Sequence, residues 1–142
     1  MEIAKTSIQG LLLIKPKVFG DDRGYFFESW SKKSYQELGL DIDFIQDNQS
    51  LSQKGVLRGL HFQNPPFAQG KLVRVVKGAV IDVVVDIRKA SITYGKHVCF
   101  KLSEKNKNVV WIPPGFAHGF VTLEEDTIFS YKCTEVYNKE SE

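Results

Sequence analysis

The stretch LRGLHFQ, residues 57–63, places His61 three positions after Arg58. An imidazole titrates near neutral pH and can take a proton from an activated carbon. A guanidinium matches phosphate oxygens two at a time. A second histidine, His118, follows WIPPGFA, and Lys71 opens KLVRVV. Each has an ordinary reading beside the chemical one: a histidine near a strand end is commonly a hydrogen-bonded structural group, and a lysine at a strand mouth commonly decorates the surface. The chain has no GxSxG elbow, glycine-rich phosphate loop or zinc-type cysteine spacing. Covalent acyl or thiol chemistry is therefore disfavoured. General acid–base chemistry remains, with histidine and tyrosine as proton carriers. A metal-binding reading needs a His-x-His pair, so that one strand offers two imidazoles to one ion. His61 is instead followed by Phe62 and Gln63, and His97 could join only from an unrelated strand; no metal is expected.

The elements that position these groups read as strands. GLLLIKPKVF, GYFFESW, KLVRVVKG, AVIDVVVDIR, HVCFKLS, NVVWIP, HGFVTLE and TIFSYKCTEV are separated by turn signals such as Gly20–Asp21–Asp22 and Glu124–Glu125–Asp126. SYQELGL, residues 34–40, is the best helical segment, ended by Gly39. Many short strands predict an all-β architecture with one short helix, and a jelly roll with a ligand cavity is preferred to an immunoglobulin-like sandwich. In AVIDVVVDIR, alternation puts Ala79, Ile81, Val83, Val85 and Ile87 on a face expected to be core. Asp82 and Asp86 share the other face, which is either solvated or turns Asp82 into a polar cavity to orient a base. The same alternation sets Arg58 and His61 on opposite faces. If both reach one ligand, Gly59 is the expected place for a bulge that re-aims one of them.

The 142 residues, 42% hydrophobic and 25% charged, suit one soluble domain over residues 1–142. A formal charge of +2 gives no global basic field for nucleic acid, so an anionic ligand must be held by local cations. The apolar start IQGLLLIKP is too short to span a bilayer and lacks the features of a signal peptide. Without export, Cys99 and Cys133 are expected to be reduced, the NQS at Asn48 unglycosylated, and the compartment the cytoplasm.

Five blocks stand in order, DDRGYFFESW, QDNQSLSQKGVLRGLHFQNPPFAQGKLVRV, GAVIDVVVDIR, WIPPGFAHGF and YKCTEVYNKESE, within a match that runs from about residue 8 to the end. Together they resemble the dTDP-4-dehydrorhamnose 3,5-epimerase family. The resemblance implies a metal-free, cofactor-independent, cupin-like jelly roll (double-stranded β-helix) that forms homodimers. It implies a dTDP-linked 4-keto-6-deoxy sugar as substrate and a place in dTDP-rhamnose biosynthesis. By the same resemblance His61 is the proton-abstracting base and Tyr131 the acid on the other side of the ring. Arg23, Glu28, Gln46, Asn48, Arg58, Lys71, His118 and Glu142 are the implied ligand contacts. One of Phe19, Tyr25, Phe26 and Phe27 would stack on the thymine. LHF stands where the family more often has LHY, a change expected to act only behind the ligand contacts. Family members continue past YNKESE with an extension whose aspartate pairs with the catalytic histidine. That extension is expected to be missing here, with Asp82 as the substitute partner. A single-centre epimerase or isomerase of a related keto sugar, and a non-catalytic sugar-nucleotide binding protein, compete with this reading.

Overall fold

The structure, a computed structural model, describes residues 1–142. Twelve strands and one short helix follow in chain order: β1 (Glu2–Lys5), β2 (Leu12–Lys15), β3 (Val18–Asp21), β4 (Gly24–Phe27), α1 (Lys32–Glu37), β5 (Gln46–Ser52), β6 (Leu57–His61), β7 (Lys71–Lys77), β8 (Ala79–Asp86), β9 (His97–Ser103), β10 (Val109–Ile112), β11 (Phe116–Thr122) and β12 (Thr127–Cys133). They form a six-stranded sheet, β1-β2-β10-β7-β12-β5, a four-stranded sheet, β6-β11-β8-β9, and a separate hairpin, β3-β4. This is the expected all-β jelly roll with one helix. The helix starts two residues earlier than the sequence suggests, because Ser31 caps it by accepting from the Ser34 N–H. The apolar run GLLLIKPKVF is not one strand. It divides into β2 and β3 around Pro16, where the missing N–H cannot serve a ladder.

Alternation on facing strands builds the core. Val73 and Val75 of β7, Val110 and Ile112 of β10 and Phe129 of β12 meet Val80 and Val84 of β8, Phe100 and Leu102 of β9, and Phe116 and Phe120 of β11. On the outer side of the large sheet, Leu72, Val109, Ile14 and Trp111 are covered by Tyr35 of α1. All four residues of β10 are therefore buried.

The β8 parity is the reverse of the expected one. Val80, Asp82, Val84 and Asp86 are the buried set, whereas Ile81, Val83 and Val85 are half-buried on the outer face. Hydrogen bonding explains the inversion: a carboxylate can turn inward when partners meet it there. Asp82 is met by His118, and Asp86 by Arg88, Ser91 and Thr93.

The polar inner groups gather at one edge. The inner row Ile112, Lys71, Cys133, Gln46 runs across β10, β7, β12 and β5, and beside it lies Val110, Val73, Tyr131, Asn48. Both rows change from apolar to polar as they approach β5. That strand was not among the expected ones, since QDNQSLS carries no β-branched residue. On the opposite sheet, His61 of edge strand β6 lies across from His118. The sandwich is thus packed solid toward β9 and polar between β5 and β6.

Candidate active site

Two hollows open between those edges. One, of about 470 Å³, is lined by His61, Lys71, Tyr131, Asn48, Gln46, Phe62, Glu142 and neighbours. The other, of about 360 Å³, is lined by His61, Lys71, Tyr131, Arg58, His118, Phe129 and neighbours. His61, Lys71 and Tyr131 belong to both, so the imidazole and the phenol share one space, with an ammonium beside them.

The parity of residues 57–63 is resolved by a bulge. Along β11 only two positions separate His118 from Phe120, yet their partners on β6 are His61 and Arg58, three positions apart. The extra β6 residue falls at Gly59–Leu60, and Arg58 and His61 consequently line the same hollow. Only glycine fits at 59. Its φ is +108°, and a Cβ there would lie 2.6 Å from the His118 carbonyl oxygen and 2.7 Å from the Gly119 Cα. The Arg58 Nε donates to Ser52 Oγ at 3.0 Å, which fixes the guanidinium fork across the gap to β5.

Asp82 does not partner His61. Its Oδ2 lies 2.7 Å from Nε2 of His118, both groups buried, leaving Nδ1 as the free ring nitrogen of His118. The register explains this: Asp82 pairs across with Phe120, one inward position from His118 on the adjacent strand, while His61 stands beyond β11 at the sheet edge. The partner of His61 is Glu142, expected only as a ligand contact: Nδ1 lies 2.7 Å from Glu142 Oε1. Tyr137 Oη donates to the other carboxylate oxygen at 2.9 Å. The Tyr137 hydroxyl, and after it His61, hold the Glu142 carboxyl below its ordinary range, with slight burial opposing.

Burial pulls the Lys71 ammonium below its ordinary value, with Cys133, Glu142 and Asp82 opposing. Its Nζ stands 5.6 Å over the Tyr131 ring, and no carboxylate lies within ion-pairing distance of it. Burial pushes the Tyr131 phenol up, so it stays protonated at neutral pH; Asn48 and Arg58 pull the other way.

Of the remaining expected contacts, Gln46 and Asn48 line the larger hollow, where the Gln46 amide donates to Asn48 Oδ1 at 3.1 Å. Arg23 and Glu28 line neither hollow. Arg23 sits at the tip of the β3-β4 hairpin, bound to Asp21 with its side chain 90% exposed, and Glu28 accepts from Ser34 Oγ. The reason is topological: the hairpin pairs with neither large sheet. Phe62, expected to act only behind the ligand contacts, lines the larger hollow itself. Sequence reasoning assigned no role to Tyr137, Gln63 or Gln69, which also line it. The one available signal was for Gln63, two residues after His61 and therefore of the same strand parity. No three His, Cys, Asp or Glu side chains gather as a metal-holding group.

Comparison with known proteins shows which family the chain and its fold resemble. The family described as dTDP-4-dehydrorhamnose 3,5-epimerase matches the chain over residues 5–142. The dTDP-4-dehydrorhamnose 3,5-epimerase of Shigella flexneri is 54% identical over 143 aligned positions, covering 100% of this chain and 79% of that protein. The crystal structure of the Legionella pneumophila dTDP-6-deoxy-D-glucose-3,5-epimerase in complex with dTDP-4-keto-L-rhamnose superposes with a TM-score of 0.94 at 53% identity, covering 99% of this chain and 74% of that one. The Bacillus anthracis dTDP-4-dehydrorhamnose 3,5-epimerase, with TDP and PPi bound, gives a TM-score of 0.96 at 45% identity, covering 99% and 81%.

Proposed function

Since the chain belongs to the dTDP-4-dehydrorhamnose 3,5-epimerase family, we propose that its polar edge epimerises a dTDP-linked 4-keto-6-deoxy sugar by acid–base chemistry between His61 and Tyr131. The supporting observation is that these two side chains and Lys71 line both hollows. C3 and C5 both flank the C4 ketone, so one carbonyl acidifies each C–H. The bond pair of that C–H becomes the enolate π bond while its proton passes to Nε2 of His61, the nitrogen left free by Glu142. Negative charge develops on the C4 oxygen. A desolvated cation without a carboxylate partner is worth most there, and losing one such donor typically costs about 3–4 kcal/mol. Tyr131 then gives its proton to the opposite face of the carbon, inverting the centre. Arg58 and Asn48 favour the phenolate that remains, and solvent resets both groups. The reaction is redox-neutral and calls on no cofactor. Arg58 and His118 line the second hollow with fork and ring nitrogen available to the diphosphate.

Tyr131→Phe separates proton removal from proton return. In D2O the variant is expected to keep exchanging the sugar C–H while net inversion falls about a hundredfold, in line with the loss of a general acid. NMR of the 4-keto sugar nucleotide reads both quantities. Undiminished inversion would remove Tyr131 from the acid role. Exchange at one carbon rather than two would mark a single-centre enzyme, and none in the parent chain would leave a binding protein.

The working unit is read as a homodimer. The β3-β4 hairpin exposes Phe19, Tyr25 and Phe26, 54–70% accessible, and pairs with no other strand of its own chain. Apolar surface of this kind is ordinarily covered by another copy, and covering it against a second copy would carry Arg23 and Glu28 toward that copy's ligand. Sedimentation velocity is expected to give a dimer that Phe26→Asp weakens; a monomer at micromolar concentration would refute the assembly. The cytoplasm remains the proposed compartment, where the free thiols of Cys99 and Cys133 would persist.

A further inference from the structure

The outer face of the large sheet carries a second polar concavity, outside the cup that the two hollows form. Side chains alternate along β7 and β12. Lys71 and Tyr131 therefore face the cup, while Arg74 of β7 and Ser130 and Lys132 of β12 line the concavity behind it. Register sets Arg74 directly across from Ser130, and Lys132 directly across from Asp47 of β5. Ser29 and Trp30, just before α1, complete a space of about 230 Å³. That is room for a small ion and its water, since each water takes roughly 30 Å³.

The lining has more donors than acceptors. The chain has four arginines. Arg23 binds Asp21, Arg88 binds Asp86 and Arg58 binds Ser52; Arg74, half-buried, is left without a side-chain partner. The one carboxylate in the lining, Asp47, is taken by Lys132, whose Nζ donates to both of its oxygens at 2.9 and 3.0 Å. Lys132 also stands 5.3 Å over the Trp30 ring, and the buried Nε1–H of Trp30 meets no acceptor. A guanidinium in this setting has shed part of its hydration without gaining a partner. Its planar fork fits two oxygens of one oxyanion, and the hydroxyls of Ser130 and Ser29 are donors for a third. We propose that this concavity binds a phosphate-sized oxyanion, free or as a phosphate monoester, with Arg74 as its principal ligand. The site stands apart from the acid–base reading of the cup and does not depend on it.

The test titrates the full 142-residue chain with inorganic phosphate at constant ionic strength and follows the arginine Nε–H groups by ¹H–¹⁵N NMR. Four such signals are few enough to assign by substitution, and Arg58 reports separately on the cup. The Arg74 signal is expected to move and to saturate at a roughly millimolar midpoint, with or without dTDP present. The Trp30 indole N–H, on the same wall, should move with it in the parent and stay still in Arg74→Gln. Asp47→Asn changes a side chain 68% exposed, removes the opposing charge and frees Lys132; it should tighten phosphate binding about fivefold. Glycerol phosphate, titrated in parallel, separates the sources: a response like that to phosphate extends the site to monoesters, and none restricts it to the free ion. An Arg74 signal that follows chloride as closely as phosphate, or that stays still while Arg58 moves, would overturn the site. So would an Asp47→Asn chain that binds phosphate no more tightly than the parent.

Discussion

Alanine at His61 is expected to lower deuterium uptake by the 4-keto sugar nucleotide by about 10²–10⁴-fold, the range a positioned general base contributes. The loss should fall equally on C3 and C5, because one imidazole serves both carbons in turn. Affinity for dTDP should stay near that of the parent: Arg58 is fixed by Ser52 of β5 on the facing sheet, not by the imidazole. His61 lies on an edge strand with its side chain 55% accessible, so its removal leaves an opening to solvent instead of a closed void. Added imidazole should therefore restore part of the exchange. Mass spectrometry after incubation in D2O measures the uptake. Uptake surviving within tenfold of the parent would place the base elsewhere, and His118, on the strand next to it, would be the group to examine.

Asp86→Ala is expected to have the largest effect on stability, about 2–3 kcal/mol, the cost of removing a wholly buried carboxylate on which a half-exposed arginine and two hydroxyls converge. Asp86 is wholly inaccessible. Its Oδ1 accepts from the Arg88 Nε at 2.9 Å, and its Oδ2 accepts from the Ser91 and Thr93 hydroxyls, both at 2.6 Å. Alanine strands two hydroxyls and a guanidinium that packs over the Phe116 ring, 4.5 Å from its centroid. Urea unfolding should show a lower midpoint with an unchanged slope. The pH dependence follows from the carboxyl. Arg88, assisted by Ser91 and Thr93, holds Asp86 well below the usual carboxylate range against the opposing effect of burial. A depressed carboxyl contributes stability above the unfolded aspartate value of about 4 and loses it as pH falls toward the folded one. The gap between parent and variant should thus be constant from neutrality to about pH 4 and shrink below it. A gap that stays flat under acid would mean that the carboxylate is not the stabilising group.

How far the molecule was legible in its sequence depended on whether neighbours in space were neighbours along the chain. The bulge at Gly59 was legible: an arginine and a histidine three apart cannot share a face of a regular strand, and one glycine lies between them. The shared cavity of His61 and Tyr131 followed from the family blocks, not from alternation alone. The inward face of β8 was not legible, because what turns Asp82 inside is His118, thirty-six residues away. Apolar alternation on its own favoured the wrong side. β5 went unseen because its inward side chains, Gln46, Asn48, Ser50 and Ser52, are all polar, the reverse of what a half-buried strand presents. Glu142 was expected as a ligand contact, and its contact with His61 was not legible, because it depends on the short turn Lys139–Ser141, which carries no hydrophobic periodicity.

The polar lining of β5 has a consequence for how this fold can be altered. β5 hydrogen-bonds to β12 alone and leaves its other edge open, while β10, held between β2 and β7, is buried at every position. Exchanging the amides and hydroxyls of β5 would therefore change the lining of the cup while leaving in place the valines and phenylalanines of the core. On β7 and β12 core and lining share a strand, Val73 and Val75 with Lys71 and Phe129 with Tyr131, so β5 is the place where the lining can be revised with least disturbance to the core.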